Sequence, residues 1–254
     1  MASNSVGADW RLRVVSWNIH KGIGGFDRKY DIARVTQLLV QQQADIVLLQ
    51  EVAEGLPRAR HDHQLVLLSE ALRLPHVAYG REHRFRVGGY GNAILSRYHL
   101  TDEQHVDLTV GKYKKRGVIA ARAHVPYAGH VRSLVIFNLH LGLRASERAL
   151  QLGKFLDCHP FVRLHSTTPI LVGGDMNDLW GTLGGRFLAP RGFLRVGNVV
   201  NTFPAWLPIR PLDSLYARGD LHTVDCCARR DALARAASDH LPLVATLRLG
   251  NGGN

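Results

Sequence analysis

The feature that most constrains this chain is a set of short apolar runs, each ending abruptly in a polar side chain. These runs are LRVVSWN, DIVLLQE, SLVIFNLH and PILVGGDMN, and they end at Asn18, Glu51, Asn138 with His140, and Asp175 with Asn177. Runs this short, rich in aliphatic and β-branched residues, predict buried strands. A single polar residue at a strand end is usually a turn former or a helix cap, but four such endings predict a site at one edge of a sheet.

The pattern of apolar runs and amphipathic stretches predicts the secondary structure of the whole chain. Predicted strands are Leu12–Asn18, Asp45–Glu51, Asn92–Ser96, Gly117–Val125, Arg132–His140, Thr168–Asp175, Asp213–Ala217, Leu221–Cys227 and Leu241–Leu249. Helices are predicted at Tyr30–Gln43, His61–Leu72 and Ala145–Cys158. Strands and helices alternate early and strands cluster late, which predicts two packed mixed sheets with helices outside. We expect a single domain over residues 10–249, with flexible tails at 1–9 and 250–254.

Charge and composition narrow the class of protein. Thirty-two Lys and Arg against 21 Asp and Glu give a net charge of +11 in 254 residues, which favours a polyanionic partner such as nucleic acid or an acidic membrane surface. We find no signal peptide and no apolar run long enough to span a membrane, so we expect a cytoplasmic protein, and we expect a monomer. Three cysteines without a CxxC motif argue against a disulfide framework and a zinc knuckle. Dinucleotide, P-loop, HExxH and GxSxG motifs are absent from the sequence.

The last predicted strand brings a second polar group to the same edge. Ser238, Asp239 and His240 immediately precede it. If this strand runs antiparallel to the others, its beginning meets their ends. An Asp and a His beside a Glu, several Asn and a second His are the groups that hold a hard cation and contact phosphoryl oxygens. The sequence therefore predicts a metal-assisted phosphate site.

Seven short motifs, in this order, resemble the endonuclease/exonuclease/phosphatase superfamily. They are Trp17-Asn18, LLQE ending at Glu51, GNAILSR at Gly91–Arg97, NLHL at Asn138–Leu141, GGDMN at Gly173–Asn177, Leu212-Asp213, and SDHLPL at Ser238–Leu243. Each motif is weak alone, but their order and spacing over about residues 11–249 are specific. The resemblance implies an α/β (α+β) fold, a four-layer αββα sandwich of two packed mixed β-sheets flanked by helices, which hydrolyses phosphate esters with Mg²⁺.

The resemblance also assigns a metal site and a substrate contact. Glu51 corresponds to the family's metal ligand, with Asn18 beside it as a ligand or water-mediated neighbour, and Asp239 is also placed at the metal. Oxygen donors of this kind suit Mg²⁺, for which Mn²⁺ could substitute. Asn92, in the GNAILSR motif, is assigned to substrate binding.

Six further residues are assigned by the resemblance to catalysis: Asp175, Asn177, His140, His240, Asp213 and Asn138. Asp175 would orient or deprotonate the attacking water, and Asn177 would hold the water and the phosphate. His240 would contact the scissile phosphate, with Asp213 as its carboxylate partner. His140, with Asn138 nearby, would stabilise developing charge or protonate the leaving oxygen.

The substrate is the least constrained part of the prediction. Basic clusters at Arg81–Arg86 and Lys112–Arg116 favour a Mg²⁺-dependent nuclease with little sequence preference, bound through Lys112, Lys114, Lys115 and Arg116. The NLHL form differs from the Tyr-x-Pro-Asn motif of abasic-site endonucleases and argues against that activity. The alternative is a phosphatase or phosphodiesterase acting on phospholipid head groups or small phosphate esters. A non-catalytic phosphate-binding module is a third hypothesis, which the complete set of site residues disfavours.

Overall fold

Two six-stranded β-sheets pack face to face, and helices cover their outer faces. The computed structural model describes residues 10–127, 129–159 and 161–250. Three helices lie on the first sheet: α1 (Ile32–Gln42), α2 (Gln64–Leu72) and α4 (Ala232–Ala237). The second sheet carries α3 (Ala145–Asp157). This is the four-layer sandwich of two mixed sheets that the sequence predicted.

The first sheet has the strand order β11-β12-β1-β2-β4-β3. Its strands are β1 (Arg11–Asn18), β2 (Ile46–Glu54), β3 (His76–Arg84), β4 (Gly89–Ser96), β11 (Leu221–Ala228) and β12 (Leu243–Leu249). β1 and β2 are parallel, whereas β12 runs antiparallel to β1. The start of β12 therefore meets the ends of β1 and β2.

The second sheet has the order β5-β6-β7-β8-β10-β9. Its strands are β5 (Leu100–Asp107), β6 (Gly117–Tyr127), β7 (His130–His140), β8 (Ile170–Asp175), β9 (Leu194–Arg195) and β10 (Asp213–Arg218). β7 and β8 are parallel, and β10 is antiparallel to β8. The polar ends of β7 and β8 and the start of β10 thus lie at one edge.

The core between the sheets explains why the central strands are apolar on both faces. One face of each sheet packs against the other sheet through aliphatic side chains, including Leu48, Ile94, Ile136, Leu171 and Leu215. The opposite faces bury a second set of apolar side chains beneath the helices. A strand covered on both sides needs a continuous apolar run, which is the pattern the sequence shows.

The predicted strands and helices are confirmed with end shifts of a few residues, but three strands and one α-helix were missed. β3 and β5 are edge strands of mixed polarity, HVAYGREHR and LTDEQHVD, so they lack an apolar run. β9 has two residues and α4 has six, too few for a periodic pattern. The basic cluster at Arg81–Arg86 begins within β3, which continues to Arg84, and ends in the turn that follows that strand.

The ends of the chain are only partly described. The tails were predicted at 1–9 and 250–254, and of these only Gly250 lies within the described residues. Its amide donates to the Asp220 carbonyl. Among the helices of the described ranges, none is long and apolar enough to cross a membrane.

Candidate active site

A cleft of about 540 Å³ opens where the polar strand ends of both sheets meet. Nine of the residues singled out from the sequence line it: Asn18, Glu51, Lys114, Arg116, His140, Asp175, Asn177, Asp239 and His240. The antiparallel course of β12 brings the 238–240 segment to the end of β1, where the Ser238 hydroxyl donates to the Asn18 carbonyl over 2.7 Å. The two sheets therefore contribute to one shared site.

Asp175 lies at the centre because three strands converge on it. His140 is its register partner on β7, and Asp213 is its partner on β10. The preceding Gly174 has φ +134°, and a Cβ there would lie 1.9 Å from the carbonyl oxygen of Leu139. Only glycine allows this close approach. Gly174 of the GGD sequence therefore allows the backbone conformation at the end of β8 that places the Asp175 carboxylate in the cleft.

Both oxygens of the Asp175 carboxylate are engaged. Oδ2 accepts a 3.0 Å hydrogen bond from Nδ2 of Asn18. The same oxygen lies 3.5 Å from Nε2 of His140 and 3.7 Å from Nε2 of His240. Oδ1 accepts from the backbone amide of Asn177. Burial raises the pKa of the Asp175 carboxyl. The positive charge of the His240 imidazolium favours the carboxylate and opposes this rise, but burial has the larger effect.

His240 belongs to a buried relay with Asp213. Its Nδ1 lies 2.8 Å from Oδ2 of Asp213, and that oxygen also accepts from the Thr202 hydroxyl over 2.5 Å. Burial disfavours the charged imidazole, but the carboxylates of Asp213 and Asp175 outweigh it and raise the pKa of His240. We therefore assign His240 as an imidazolium whose Nε2–H faces the cleft.

His140 is the opposite case. Its ring is buried, and burial together with the nearby cations of Arg116 and His240 lowers its pKa well below 6.5. His140 is therefore neutral, and its Nδ1 has no hydrogen-bond partner in the structure. Two histidines at one carboxylate thus differ in charge because only one of them has a second carboxylate beside it.

Glu51 is held against a lysine that the sequence analysis did not identify. The Lys21 ammonium donates to Oε2 of Glu51 and also lies 4.7 Å from the centre of the Tyr90 ring. Although burial opposes ionisation, the attraction of Lys21 lowers the pKa of Glu51. The pair places a fixed cation beside the carboxylate that was predicted to bind metal.

Local backbone conformation aims these side chains into the cleft. His20, Lys21, Glu51 and Asn177 all have φ between 46° and 60°, in the left-handed region. Glu51 lies where the register of β2 against β4 shifts between Leu49 and Val52. Non-glycine residues in this region are strained, and they concentrate at functional sites.

The donor set fits a hard divalent cation at Glu51. Carboxylate oxygens of Glu51 and Asp239 both line the cleft, and Glu51 already attracts a positive charge in Lys21. Oxygen ligands of this kind suit Mg²⁺ and Mn²⁺. Oδ1 of Asn18 accepts from the His20 amide, so Asn18 would contact a cation at Glu51 only as a shared acceptor or through water.

A second group of potential ligands is a poorer fit. Asp175, Asp213 and His240 offer ligand atoms within 4.8 Å of one another. Nδ1 of His240 and Oδ2 of Asp213 are bonded to each other, and a protonated imidazole repels a cation. We therefore interpret these three residues as a hydrogen-bond relay.

Asn138 and Asn92 were predicted to belong to the site, but neither lines the cleft, and both are buried in the protein interior. Nδ2 of Asn138 donates to the carbonyls of Leu49 and Ala93, each over 2.8 Å, and its Oδ1 accepts from Gln50. This buried amide therefore joins β7 to the other sheet.

Asn92 is also fully buried. Its Nδ2 donates to Oε1 of Glu82 over 2.8 Å, and the same oxygen accepts from the Gly117 amide. Burial raises the pKa of Glu82 to about 8, against the attraction of Arg116. Asn92 therefore positions Glu82 and has no contact with the cleft.

The basic loop before β6 divides into two parts. Lys112, Lys114 and Lys115 are exposed, as expected of a polyanion contact, and Lys114 reaches the cleft. Arg116 is buried, and its Nε donates to the Leu141 carbonyl over 3.1 Å. Arg116 therefore differs from the three lysines with which it was predicted to contact a polyanion, because its guanidinium is fixed in the cleft wall rather than exposed on the loop.

Two residues that contact predicted site residues were missed from the sequence: Lys21, which contacts Glu51, and Thr202, which contacts Asp213. Lys21 stands three residues after the strand end at Asn18, a place where site residues occur, and this spacing was the available signal. Thr202 is a single threonine in a long loop, and nothing in the sequence distinguishes it from a turn residue.

Comparison with known proteins identifies a family whose members carry out phosphoester chemistry. The Endonuclease/Exonuclease/phosphatase family matches residues 15–240. The chain belongs to this family. It is 30% identical to Escherichia coli K12 protein YbhP, over 94% of this chain and 96% of YbhP.

Solved structures of the family share the fold. An endonuclease/exonuclease/phosphatase from Beutenbergia cavernae superposes with a TM-score of 0.79 at 24% identity, covering 94% of this chain and 72% of that one. Truncated Caenorhabditis elegans TDP2 gives a TM-score of 0.67 at 20% identity, covering 94% and 98%. Members of the family are phosphoesterases, so this chain has the fold and the family assignment of a phosphoester hydrolase.

Proposed function

We propose that this chain is a Mg²⁺-dependent or Mn²⁺-dependent phosphodiester hydrolase. One observation carries the proposal: a single oxygen, Oδ2 of Asp175, is shared by Asn18, neutral His140 and charged His240. This arrangement supplies an acceptor for a water proton beside a cationic donor for phosphoryl oxygen. Hydrolysis of a phosphodiester requires both, because the transition state carries extra negative charge while the nucleophile loses a proton.

Each side chain has a role that follows from its environment. Asp175, whose carboxyl has a raised pKa, accepts the proton of the attacking water. His240 donates Nε2–H to a phosphoryl oxygen, and Asp213 keeps that ring charged and oriented. Asn177, held by the Leu141 carbonyl through its Nδ2, fixes the water or the phosphate. A metal ion held by Glu51 and Asp239 would supply Lewis-acid stabilisation of the same charge.

The test is hydrolysis of a soluble chromogenic phosphodiester by the purified chain, with Mg²⁺ and then with excess chelator. Asp175→Asn and His240→Ala should each lower kcat by about three orders of magnitude or more while the circular dichroism spectrum is unchanged. Asp102→Asn is the matched control, since Asp102 is an exposed carboxylate paired with Arg122, toward the end of β5 that lies away from the cleft. Wild-type rates in either site variant would refute the assignment.

Nucleic acid stays a candidate substrate because the loop of Lys112, Lys114 and Lys115 is exposed beside the cleft with Tyr113 among the lysines. If these three lysines each neutralise one phosphate, replacing all three with Ser should reduce the slope of log K against log salt by about 2.7. Binding to every DNA sequence should weaken alike. An unchanged slope would remove this loop from nucleic-acid binding.

A further inference from the structure

All exposed aromatic side chains in the described part of the chain lie on loops at the cleft end of the sandwich. These residues are Phe26, Phe85, Tyr113, Trp180 and Trp206. Phe85 itself lines the cleft, Tyr113 adjoins Lys114, and Trp180 follows the cleft residue Leu179. Five aromatic residues gathered at one end of a molecule mark an interaction surface.

Aliphatic side chains extend this surface around the cleft. We define the apolar rim as eight residues that are 41–68% exposed on four loops: Phe85, Val87, Leu143, Leu179, Trp180, Trp206, Leu207 and Ile209. Exposed aliphatic residues elsewhere lie on separate elements, such as Val66 on α2, Val131 on β7 and Leu194 on β9. Scattered exposure of that kind needs no explanation, whereas a ring of apolar side chains around a catalytic cleft does.

The loop that carries Trp206 and Leu207 is held rigidly in its exposed position. Its two ends are joined, because the Phe203 carbonyl accepts from the amides of Ile209 and Arg210 over 2.9 and 2.8 Å. The Ala205 amide donates to the Asp239 carbonyl over 2.7 Å, which fixes the loop to the cleft. The apolar side chains are therefore presented to solvent by an ordered support.

Exposed lysine and arginine side chains lie beside the residues of the apolar rim. Arg86 and Arg144 are exposed on two of the rim loops, and Arg58, Lys112, Lys114 and Lys115 are exposed on neighbouring loops at the same end of the sandwich. The Arg210 guanidinium lies 4.6 Å from the ring of Trp180 and joins two of the rim loops. Aromatic and aliphatic side chains surrounded by Lys and Arg are complementary to the acyl boundary and the anionic head groups of a bilayer.

An apolar hollow of about 450 Å³ adjoins the catalytic cleft. Leu56, Pro57 and Val87 line it together with Phe85 and Tyr90, and the last two also line the cleft. A molecule with its phosphodiester in the cleft would thus place an adjoining apolar group in this hollow. A molecule with a charged phosphodiester next to an apolar group is an amphiphile, as a phospholipid is.

We infer that the apolar rim docks onto an anionic lipid bilayer, and that the substrate is a phosphodiester presented at the bilayer surface. This inference rests on the proposed hydrolase function. Single-stranded nucleic acid would use the aromatic and basic residues, but it offers no partner for exposed Leu143, Leu207 and Ile209. A partner protein seated on a ring around the cleft would block it, whereas a bilayer on the same ring supplies the substrate.

The test is cosedimentation of the full chain with vesicles of phosphatidylcholine alone or mixed with phosphatidylglycerol. The wild type should bind the anionic vesicles, and bilayer-embedded brominated lipid should quench its tryptophan fluorescence. The rim variant Trp180→Ser/Trp206→Ser/Leu207→Ser should lose about tenfold or more of this binding, because these side chains no longer enter the bilayer. Its rate on a soluble chromogenic phosphodiester should be unchanged.

The matched control is Val66→Ser/Val131→Ser/Leu194→Ser, which removes three exposed apolar side chains outside the rim and should bind vesicles as the wild type does. Equal vesicle binding by the rim variant and the wild type would overturn the inference. Wild-type protein that ignores vesicles and binds a single-stranded oligonucleotide through the rim would overturn it in favour of nucleic acid. Failure of the wild type to hydrolyse the soluble ester would refute the hydrolase function alone, since vesicle binding is measured without turnover.

Discussion

Nδ1 of His240 lies 2.8 Å from Oδ2 of Asp213, and both side chains are buried at the floor of the cleft. Burial alone would keep the imidazole neutral, as it does for His140. The carboxylate of Asp213, with that of Asp175, instead raises the pKa of His240 and keeps the ring charged. Asp213, which contacts His240 and is not near His140, thus accounts for the difference in charge between the two histidines.

Asp213→Asn should therefore move the basic limb of the pH profile of kcat/KM to lower pH by about one unit or more. The sign follows because a neighbouring carboxylate stabilises the imidazolium, and its removal lets the ring lose its proton at lower pH. The measurement is the pH–rate profile on a soluble phosphodiester. Thr202→Val is the control, since it removes only a neutral hydroxyl from Asp213 and should shift the limb less. An unmoved basic limb in Asp213→Asn would contradict the relay.

Removal of the divalent ion should abolish turnover, and Mg²⁺ or Mn²⁺ should restore it. Glu51→Gln should weaken Mn²⁺ binding about tenfold or more, because an amide oxygen lacks the charge that holds a hard cation. Binding can be followed by titration of the purified protein without substrate. Glu103→Gln, at an exposed carboxylate on β5, should leave the isotherm unchanged. Full turnover in excess chelator would exclude the metal assignment.

Lys21→Met should tighten Mn²⁺ binding, because the ammonium of Lys21 pairs with Glu51 and competes with any cation there. We expect a several-fold lower Kd in calorimetric titration. Lys114→Met is the matched control, an exposed lysine that lines the same cleft, and it should change the Kd less. A Lys21 variant that binds the ion more weakly would show that the lysine supports the site rather than competes for it.

Asn138→Ala should destabilise the fold by about 3 kcal/mol, because it leaves buried carbonyls of Leu49 and Ala93 without a donor. The measurement is the denaturant midpoint with the slope unchanged. Asn198→Ala, at an exposed position, should stay within about 0.5 kcal/mol of the wild type. An Asn138 variant of normal stability with lost turnover would instead support a direct role in catalysis.

Much of the fold was predictable because its central strands are covered on both faces. Each then needs an unbroken apolar run, and β1, β2, β7 and β8 all show one. The edge strands β3 and β5 were not predicted, because an edge strand tolerates polar residues on the side that faces water. Helix α4 is too short for a periodic signal.

The residue types of the site could be predicted from the sequence, because each polar residue at a strand end directly follows or precedes the apolar run of that strand. Asp175 and His240 could be singled out for that reason. Their charges and partners were decided only by tertiary structure, because a pKa depends on burial and on charges brought from distant parts of the chain. His140 and His240 look alike as sequence, yet only His240 contacts Asp213. Asn138 carries a polar group of the right kind, but the packing of the two sheets places it in the protein interior, where unpaired polar atoms are too costly to leave free. The guanidinium of Arg116 stays in the cleft wall, where the Leu141 carbonyl fixes it.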